Sequence, residues 1–206
     1  WKKLSTNSKL ILSTIAGLNL FAFIVIWAIE ASNPLTLAPM SVGDQALNAW
    51  FHATVPRSSG FNSLEVSSMT NASTLITMVL MFIGGGSLST AGGIKVGTFI
   101  IMILSVITFL KRSDEITIFG HSVSHQATFK AMAVISITSL LILIGFFTLL
   151  ILEPDKKFLD LLFEAVSAAC TVGLSRGITE NLHAGSQIAL ICLMFAGRLG
   201  PLTLAY

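Results

Sequence analysis

Two short glycine-centred loops carry the residue types best suited to chemistry in this chain. They are Ser58-Ser59-Gly60-Phe61-Asn62, the first glycine loop, and Thr171-Val172-Gly173-Leu174-Ser175, the second glycine loop, 113 positions later. Glycine permits backbone torsions that other residues resist, so such a loop can turn consecutive carbonyl oxygens toward one axis. Carbonyl oxygens arranged in this way replace the hydration shell of a bare cation. The two loops therefore predict a site for a monovalent cation, with ordinary connections between helices as the alternative.

A serine hydrolase is the competing chemical interpretation. Residues 173–177 fit the pattern G-x-S-x-G with Ser175 at the nucleophile position, and His183 follows nearby. A nucleophile elbow requires a strand before the serine and a helix directly after it. Here a short apolar helix is predicted before the loop, and the first glycine loop has Asn62 at the matching position. We therefore expect no enzymatic activity and keep an intramembrane serine hydrolase as the weaker alternative.

Patterns for phosphate, zinc and redox chemistry are incomplete in the sequence. Residues 84–93 are rich in glycine, but Lys95 is not followed by the Ser or Thr that a phosphate-binding loop requires. Two histidines have i, i+4 spacing without a third ligand, and two cysteines lie apart in apolar stretches: His121, His125, Cys170 and Cys192. We therefore predict neither a zinc centre nor a redox pair.

The composition is typical of a membrane protein. Of the 206 residues, 53% are hydrophobic and 11% are charged, and the mean hydropathy is +0.84. The charged fraction is about half that of an ordinary soluble domain. The formal net charge is only +2 and the Lys and Arg residues are scattered, which excludes a basic surface for nucleic acid. We therefore expect the lipid bilayer as the surrounding solvent and no nucleic-acid partner.

Apolar runs locate the helices that must position the glycine loops. Residues 10–29 and 132–152 are each long enough to span a hydrocarbon core of about 30 Å. Residues 45–55 and 158–169 are also apolar but too short to cross, and each precedes a glycine loop. The pattern predicts that each loop follows a short helix that dips into the membrane.

Two further apolar runs are interrupted. One begins near residue 75, is broken by the glycine-rich residues 84–93 and resumes over residues 94–110. The other covers residues 188–206 and is broken at residues 197–201. Non-helical backbone at membrane depth is tolerated only where protein or water supplies hydrogen-bond partners. The interruptions therefore predict a protein-lined or water-filled path.

The chain contains an internal repeat. The shift of 113 positions that aligns the glycine loops also aligns residues 80–84 with residues 193–197 without a gap, and Glu30 and Glu153 end the first long helix of each copy. Each copy is therefore predicted as helix, short helix, pore loop and helix, in an all-α integral membrane fold. The predicted division is an N-terminal repeat over residues 1–110, a connection over 111–127 and a C-terminal repeat over 128–206.

The distribution of Lys and Arg predicts the orientation in the membrane. Six basic residues lie on the side of the N-terminus and the connection, which should therefore be cytoplasmic: Lys2, Lys3, Lys9, Lys111, Arg112 and Lys130. Eight acidic residues fall on the opposite side, with the glycine loops: Glu30, Asp44, Glu65, Glu153, Asp155, Asp160, Glu164 and Glu180. An acidic outer mouth would concentrate cations, although loops also tolerate charge without such a function.

Four motifs in order resemble one family of transport proteins. Besides the two glycine loops, they are Ser87-Leu88-Ser89-Thr90-Ala91-Gly92-Gly93-Ile94-Lys95 and Gly197-Arg198-Leu199-Gly200-Pro201-Leu202-Thr203-Leu204. The chain resembles the Trk/Ktr/HKT family of potassium-uptake membrane subunits over nearly its whole length, and the last motif points to the bacterial Ktr branch. The resemblance implies a K+ channel-like fold with the third and fourth of four repeats around one pore, the fourth ending early.

The resemblance implies a role for each motif. The glycine loops would supply two of four filter strands for K+ through backbone carbonyls, with Asn62 and Ser175 at the outer edge. The glycine-rich interruption would be an intramembrane loop that lies under the filter as a gate: Gly84, Gly85, Gly86, Ser87, Ser89, Thr90, Gly92, Gly93 and Lys95. Arg198 would face this loop as part of the gate, since an ionisable group in an apolar run needs a protein or water partner. Snorkelling of Arg198 to the cytoplasmic interface is the alternative. Leu88 replaces a glycine that is usual in the family, which bears on gating.

The resemblance also implies an ion and partners. K+ would be taken up along its electrochemical gradient, with Na+ as a second candidate. The family distinguishes the two ions in the first filter strand, which belongs to a repeat outside this sequence. A homodimer in the cell membrane is implied, together with a cytosolic ring of regulatory subunits that binds ATP or ADP. A coupled secondary transporter is the alternative that interrupted helices also suit, and a structural membrane subunit is the third interpretation.

Overall fold

The computed structural model describes residues 6–86, 92–112, 117–118 and 121–199. Within these ranges the chain forms seven α-helices: α1 (Thr6–Glu30), α2 (Val42–Thr54), α3 (Asn71–Phe82), α4 (Val96–Leu110), α5 (His125–Leu152), α6 (Phe158–Ala169) and α7 (Ala184–Leu199). In that part of the chain a small antiparallel hairpin, β1 (Thr117–Ile118) with β2 (His121–Ser122), is the one sheet. The prediction of an all-α fold is confirmed.

Two helices are long and apolar enough to cross a membrane. They are Ser8–Glu30 within α1 and His125–Leu152, which is α5. Both begin several residues before the predicted apolar runs, because polar residues join the helices at their N-terminal ends. Ser124 caps α5, since its hydroxyl accepts a hydrogen bond from the Ala127 amide at 3.3 Å.

The two repeats follow the same order of elements. In the N-terminal repeat, α1 is followed by α2, the first glycine loop, a 3-10 turn at Val66–Ser68 and α3. In the C-terminal repeat, α5 is followed by α6, the second glycine loop, a 3-10 turn at Thr179–Asn181 and α7. In both cases the turn and the helix after it begin at positions related by the 113-residue shift. The predicted unit of helix, short helix, loop and helix is therefore present twice.

The last helix differs from its prediction. α7 begins at Ala184, earlier than the apolar run, and continues to Leu199, so Gly197 is helical and does not begin an interruption. The helix continues because the bare Gly197 backbone packs on the end of α6. A Cβ on Gly197 would overlap the carbonyl oxygen of Ala169 and lie 2.8 Å from its carbonyl carbon. Residues 200–206, which complete the predicted interruption, lie outside the described residues.

α3 and α4 are the two halves of an interrupted helix. α3 ends at Phe82 and α4 begins at Val96. The end of α3 and the start of α4 are held side by side by two hydrogen bonds. The Gly84 amide donates to the Ile94 carbonyl at 2.8 Å, and the Ile94 amide donates to the Phe82 carbonyl at 2.9 Å. These hydrogen bonds close the base of the intramembrane loop, residues 84–95, at the predicted interruption.

The hydrophobic core joins the two repeats. Its largest cluster is centred on the short helix α6 and packs α5 and α7 against it, with Leu149, Leu161 and Phe163 fully buried. The same cluster includes Met78 and Met81 of α3. The N-terminal repeat therefore packs on the C-terminal repeat through α3 and α6. The opposite face of α5 remains apolar and exposed, as expected for a surface in contact with lipid.

A buried carboxylate connects the first and last helices of each repeat. Glu30, at the end of α1, accepts hydrogen bonds from the Thr70 amide at 2.9 Å and the Thr70 hydroxyl at 2.7 Å, at the start of α3. Glu153, directly after α5, accepts from the His183 amide at 2.6 Å and the Ser186 hydroxyl at 2.8 Å, at the start of α7. Each glutamate thus caps a helix N-terminus, where a negative charge is stabilising.

Substitution of Glu153 by glutamine is expected to lower the melting temperature of the full-length protein by roughly 2–5 °C at neutral pH, because a charged cap becomes neutral. Burial acts to raise the pKa of the Glu153 carboxyl, but hydrogen bonds from His183 and Ser186 and nearby positive charge outweigh it, so this pKa lies below its ordinary value. The stabilisation is therefore complete above the ordinary value and is lost as the pH falls through the lowered one.

Thermal unfolding of the protein in detergent, at neutral and at strongly acidic pH, measures this effect. The difference between wild type and Glu153→Gln should shrink on acidification. The matched control is Asp155→Asn, which removes an exposed carboxylate two residues away. Equal shifts in the two variants at neutral pH would contradict the role of Glu153 as a helix cap.

Candidate functional site

The two glycine loops lie side by side. The Ser58 hydroxyl donates a hydrogen bond to the Thr171 carbonyl oxygen at 3.0 Å, and these two residues are equivalent under the 113-residue shift. A Cβ built on Gly173 would lie 3.3 Å from the Gly60 Cα, so the two glycines, which are also equivalent, approach closely. The structure therefore brings the two predicted loops together, with equivalent residues of the two repeats in contact.

The backbone of both loops alternates in the same way. Ser58 and Thr171 have φ angles of 68° and 52°, and Gly60 and Gly173 have φ angles of 69° and 89°. A left-handed conformation is uncommon for a non-glycine residue and especially for a β-branched threonine. Such strain persists only where the surrounding structure enforces it, and it concentrates at functional sites. The two glycine loops therefore share left-handed conformations at the same alternate positions.

The carbonyl groups of the second glycine loop are not all directed alike. The Thr171 oxygen accepts from Ser58, and the Val172 oxygen would lie 3.3 Å from a Cβ on Gly60. The Leu174 oxygen instead accepts a hydrogen bond from the Ser167 hydroxyl at 2.6 Å and is turned toward α6. In this loop, the oxygens of Thr171 and Val172 therefore face the side that the two loops share, and the Leu174 oxygen does not.

A polar cavity of about 450 Å³ opens at the outer edge of the glycine loops. Asn62 and Ser175 line it, and Glu65 and Glu180 add two carboxylates. The predicted acidic mouth is thus smaller than the sequence indicated. Three of its members are buried and hydrogen-bonded within the protein: Glu30, Glu153 and Glu164.

Glu164, a residue of α6, fixes the exit of the second glycine loop. Its side chain accepts hydrogen bonds from the Ser175 hydroxyl at 2.6 Å, the Arg176 amide at 3.0 Å and the Thr179 hydroxyl at 2.9 Å. A buried carboxylate is stable only with such partners. This role differs from the place in the acidic mouth that the sequence predicts for Glu164. Its place inside a short apolar helix was the signal that its carboxylate is buried.

The intramembrane loop returns against the second glycine loop. The Gly92 amide donates to the Thr171 hydroxyl at 3.1 Å, and a Cβ on Gly92 would lie 2.7 Å from the Cys170 carbonyl carbon. Gly93 has a φ angle of 67° and packs on the Phe82 carbonyl. Neither position has room for a side chain. This arm of the loop therefore lies directly under the start of the second glycine loop.

The other arm of the intramembrane loop consists of Gly84, Gly85 and Gly86. A Cβ on Gly84 would overlap the Gly92 carbonyl oxygen, so the two arms are in contact. The structure thus brings five of the predicted gate glycines together below the glycine loops. The remaining predicted gate residues Ser87, Ser89 and Thr90, with Leu88, lie outside the described residues.

Two basic residues complete the predicted site. Lys95 precedes α4 as its N-cap and Arg198 lies in the last turn of α7, and their charges are close enough to repel each other. Arg198 lines a mainly apolar cavity of about 480 Å³ together with Thr171 and Gly173. Both Lys95 and Arg198 make polar or electrostatic contacts. The structure therefore brings Arg198 beside the second glycine loop, and its predicted role in facing the intramembrane loop stays a prediction.

Comparison with known proteins decides the family. The family of cation transport proteins called TrkH matches residues 7–206. The chain belongs to the TrkH family. The assignment to the Trk/Ktr/HKT family from the four sequence motifs is confirmed.

Relatives within the TrkH family match the whole chain. It is 42% identical over 207 residues to Ktr system potassium uptake protein B of Bacillus subtilis, covering 100% of this chain and 46% of that protein. It is 36% identical over 210 residues to Ktr system potassium uptake protein B of Vibrio alginolyticus, with the same coverage of 100% and 46%. The chain therefore spans about half the length of these curated relatives.

A solved structure shares the fold. The crystal structure of the potassium transporter TrkH from Vibrio parahaemolyticus matches with a TM-score of 0.80 at 20% identity, covering 95% of this chain and 43% of that chain. This likeness confirms the predicted K+ channel-like membrane fold. Membership of the TrkH family makes the chain a multi-pass protein of the cell membrane that belongs to the transport proteins and not to the enzymes. The serine hydrolase alternative is therefore set aside.

Proposed function

We propose that the chain forms two strands of a K+ selectivity filter, in a pathway that passes K+ into the cell along its electrochemical gradient. The observation that carries this proposal is the contact between equivalent residues of the two glycine loops, Ser58 with Thr171 and Gly60 with Gly173. Carbonyl oxygens gathered around one axis replace the water around a dehydrated K+. The two relatives named as potassium uptake proteins support K+ as the ion.

The helices that precede the glycine loops and the acidic residues beside the loops favour a cation over an anion. α2 ends at Thr54 and α6 ends at Ala169, shortly before the respective glycine loops, so the negative ends of two helix dipoles lie beside the loops. Glu65 and Glu180 add negative charge at the cavity on the outer edge. Arg176 also lines this cavity, but its charge is paired with Asp160, so the two features together disfavour an anion.

We assign the N-terminal repeat, residues 1–110, and the C-terminal repeat, residues 128–206, to the third and fourth of four repeats around one pore. Residues 111–127 then form a cytoplasmic connection that faces a ring of regulatory subunits binding ATP or ADP. The coverage of 46% of the curated relatives supports this division. A homodimer is part of the proposal, and native mass spectrometry of the full-length protein tests it, with a monomeric mass as the contradicting result.

Uptake of radiolabelled Rb+, a substitute for K+, into proteoliposomes containing the full-length protein tests the proposed function. With an inside-negative membrane potential we expect saturable uptake that external K+ blocks at lower concentrations than Na+. Uptake equal to that of empty liposomes would contradict transport, and stronger competition by Na+ would contradict K+ as the ion. A requirement for an imposed Na+ or H+ gradient would indicate the coupled secondary transporter.

The intramembrane loop is the proposed gate, with the Thr171 hydroxyl as its latch. The hydrogen bond from the Gly92 amide to this hydroxyl holds one arm of the loop under the filter. Thr171 also presents its carbonyl to Ser58, so one residue contacts both the neighbouring filter strand and the gate. Opening of the gate then requires that the Gly92 hydrogen bond breaks.

Substitution of Thr171 by valine is expected to raise the initial rate of Rb+ uptake about fivefold, since a hydrogen bond of about 1 kcal/mol is lost from the closed state. Valine keeps the β-branched shape and therefore the same backbone strain. The control is Thr148→Val in α5, which removes an exposed hydroxyl bonded only within its own helix and should leave the rate unchanged. A Thr171→Val rate equal to or below that of wild type would contradict the latch.

A further inference from the structure

We propose that Arg176 is a positioning residue that holds the two glycine loops in register and thereby sets the discrimination among monovalent cations. This inference rests on the proposed function of the loops as filter strands. It concerns a residue that lies one position beyond the second glycine loop and contributes no ligand to the ion path.

The Arg176 side chain crosses from the C-terminal repeat into the N-terminal repeat. Its Nε forms an ion pair with the Asp160 carboxylate of α6 at 2.6 Å. Nη1 donates to the Val66 carbonyl at 3.0 Å and to the Thr74 hydroxyl at 2.6 Å, and Nη2 donates to the Ser67 carbonyl at 3.1 Å. The side chain is only 9% exposed. We call this set of contacts the Arg176 clamp.

The clamp is fixed at both of its ends. The Arg176 amide donates to the Glu164 carboxylate at 3.0 Å, so the backbone at the exit of the second glycine loop is attached to α6. On the other side, Val66 and Ser67 form the turn between the first glycine loop and α3, and Thr74 lies in α3 itself. A shift of one glycine loop relative to the other therefore requires the clamp to break.

The clamp has no symmetric counterpart at the equivalent position. The 113-residue shift sets Arg176 opposite Ser63, which is exposed and too short to reach the other repeat. Guanidinium is suited to this place because its planar fork donates in three directions at once, whereas an ammonium group is a single compact donor centre. The geometry of the clamp therefore depends on arginine and not on positive charge alone.

Ion discrimination is sensitive to the separation of filter strands. Functional groups that bind an ion must be held within about 0.5 Å of their productive positions. The close approach of Gly60 to Gly173 and the hydrogen bond from Ser58 to Thr171 lie directly inward of the clamp. Loss of the clamp would loosen these contacts and would also leave a partly buried Asp160 without its ion-pair partner.

Rb+ uptake by the full-length protein in proteoliposomes, competed with K+ and with Na+, tests the inference. Arg176→Gln and Arg176→Lys should both raise the apparent KM for Rb+ by about tenfold and lower the preference for K+ over Na+ by at least about threefold. The control Lys157→Gln removes an exposed positive charge on the same side of the protein. It should change neither quantity by more than about twofold.

Each outcome of this experiment either supports or overturns the inference. A wild-type preference in Arg176→Lys would show that positive charge alone suffices, and an Arg176→Gln effect no larger than that of Lys157→Gln would show that Arg176 does not set the preference; either result would overturn the inference. Where the Arg176 variants do not reach the membrane, Thr74→Val removes a single acceptor of the clamp, the hydroxyl to which Arg176 Nη1 donates. A preference for K+ lowered at least about twofold in this variant supports the inference, and an unchanged preference overturns it. Absence of uptake by the wild type contradicts the proposed function itself.

Discussion

Substitution of Gly173 by alanine is expected to reduce Rb+ uptake by at least about tenfold while the protein still reaches the membrane. Gly173 has a φ angle of 89°, and an L-residue in a left-handed conformation costs about 1–2 kcal/mol. The added Cβ would also lie 3.3 Å from the Gly60 Cα, so the two glycine loops would have to separate. A tenfold loss corresponds to about 1.4 kcal/mol of ion binding, which we expect the separation of the proposed filter strands to remove.

The matched control for Gly173→Ala is Gly177→Ala. Gly177 has a similar φ angle of 80°, four residues further along, but a Cβ there would meet nothing within 4 Å. Both variants therefore carry the same kind of backbone strain, and only Gly173→Ala disturbs the contact between the loops. Uptake by Gly177→Ala should stay within about twofold of wild type. Equal losses of uptake in the two variants would show that backbone strain causes the effect and would contradict the filter assignment.

The repeat and most of its helices could be predicted because their signals are local in the sequence. Apolar runs of membrane length identify α1 and α5, and the short run over residues 158–169 coincides with α6. A shift without gaps aligns the glycine loops and the helices after them, since each loop lies at a fixed distance before its helix. The glycine-rich interruption is visible for the same reason, because helix-breaking residues interrupt an apolar run.

The contacts between the repeats could not be predicted from local pattern. Arg176 reaches Val66 across 110 positions, and Gly92 reaches Thr171 across 79 positions. Side-chain periodicity indicates which face of a helix is buried. It does not indicate which distant backbone group will accept a hydrogen bond from a given side chain. These two contacts carry the proposed clamp and the proposed latch, so the mechanism of the site emerges only from the folded chain.

The roles of the acidic residues could not be predicted from their number and position in the sequence. A carboxylate at the end of a helix has the same sequence context whether it faces water or caps another helix. Glu30 and Glu153 cap α3 and α7, and Glu164 binds the second glycine loop. Glu65 and Glu180 remain to shape the field at the outer cavity. The distinction depends on tertiary packing, which brings a helix N-terminus to the carboxylate.

Substitution of Gly197 by alanine is expected to reduce the yield of correctly folded protein at least about fivefold. A Cβ on Gly197 would overlap the carbonyl oxygen of Ala169, the last residue of α6, and lie 3.3 Å from its Cα. Overpacking costs about 1–3 kcal/mol, and the cost is near the upper end where backbone atoms leave no rotamer to change. α7 must then move away from α6, directly behind the second glycine loop.

Size-exclusion chromatography of the detergent-solubilised protein measures the yield, and two glycines on related helices provide controls. Gly185→Ala, also in α7, places its Cβ at an ordinary 3.7 Å from Leu152 and should keep or raise the yield, because alanine is the better helix former by up to about 1 kcal/mol. The added Cβ of Gly145→Ala in α5 meets the side chain of Leu193 instead of backbone, so its yield should fall between the two. A yield of Gly197→Ala equal to that of Gly185→Ala would show that α7 does not need this close approach. In that case the approach could not explain why the helix continues to Leu199.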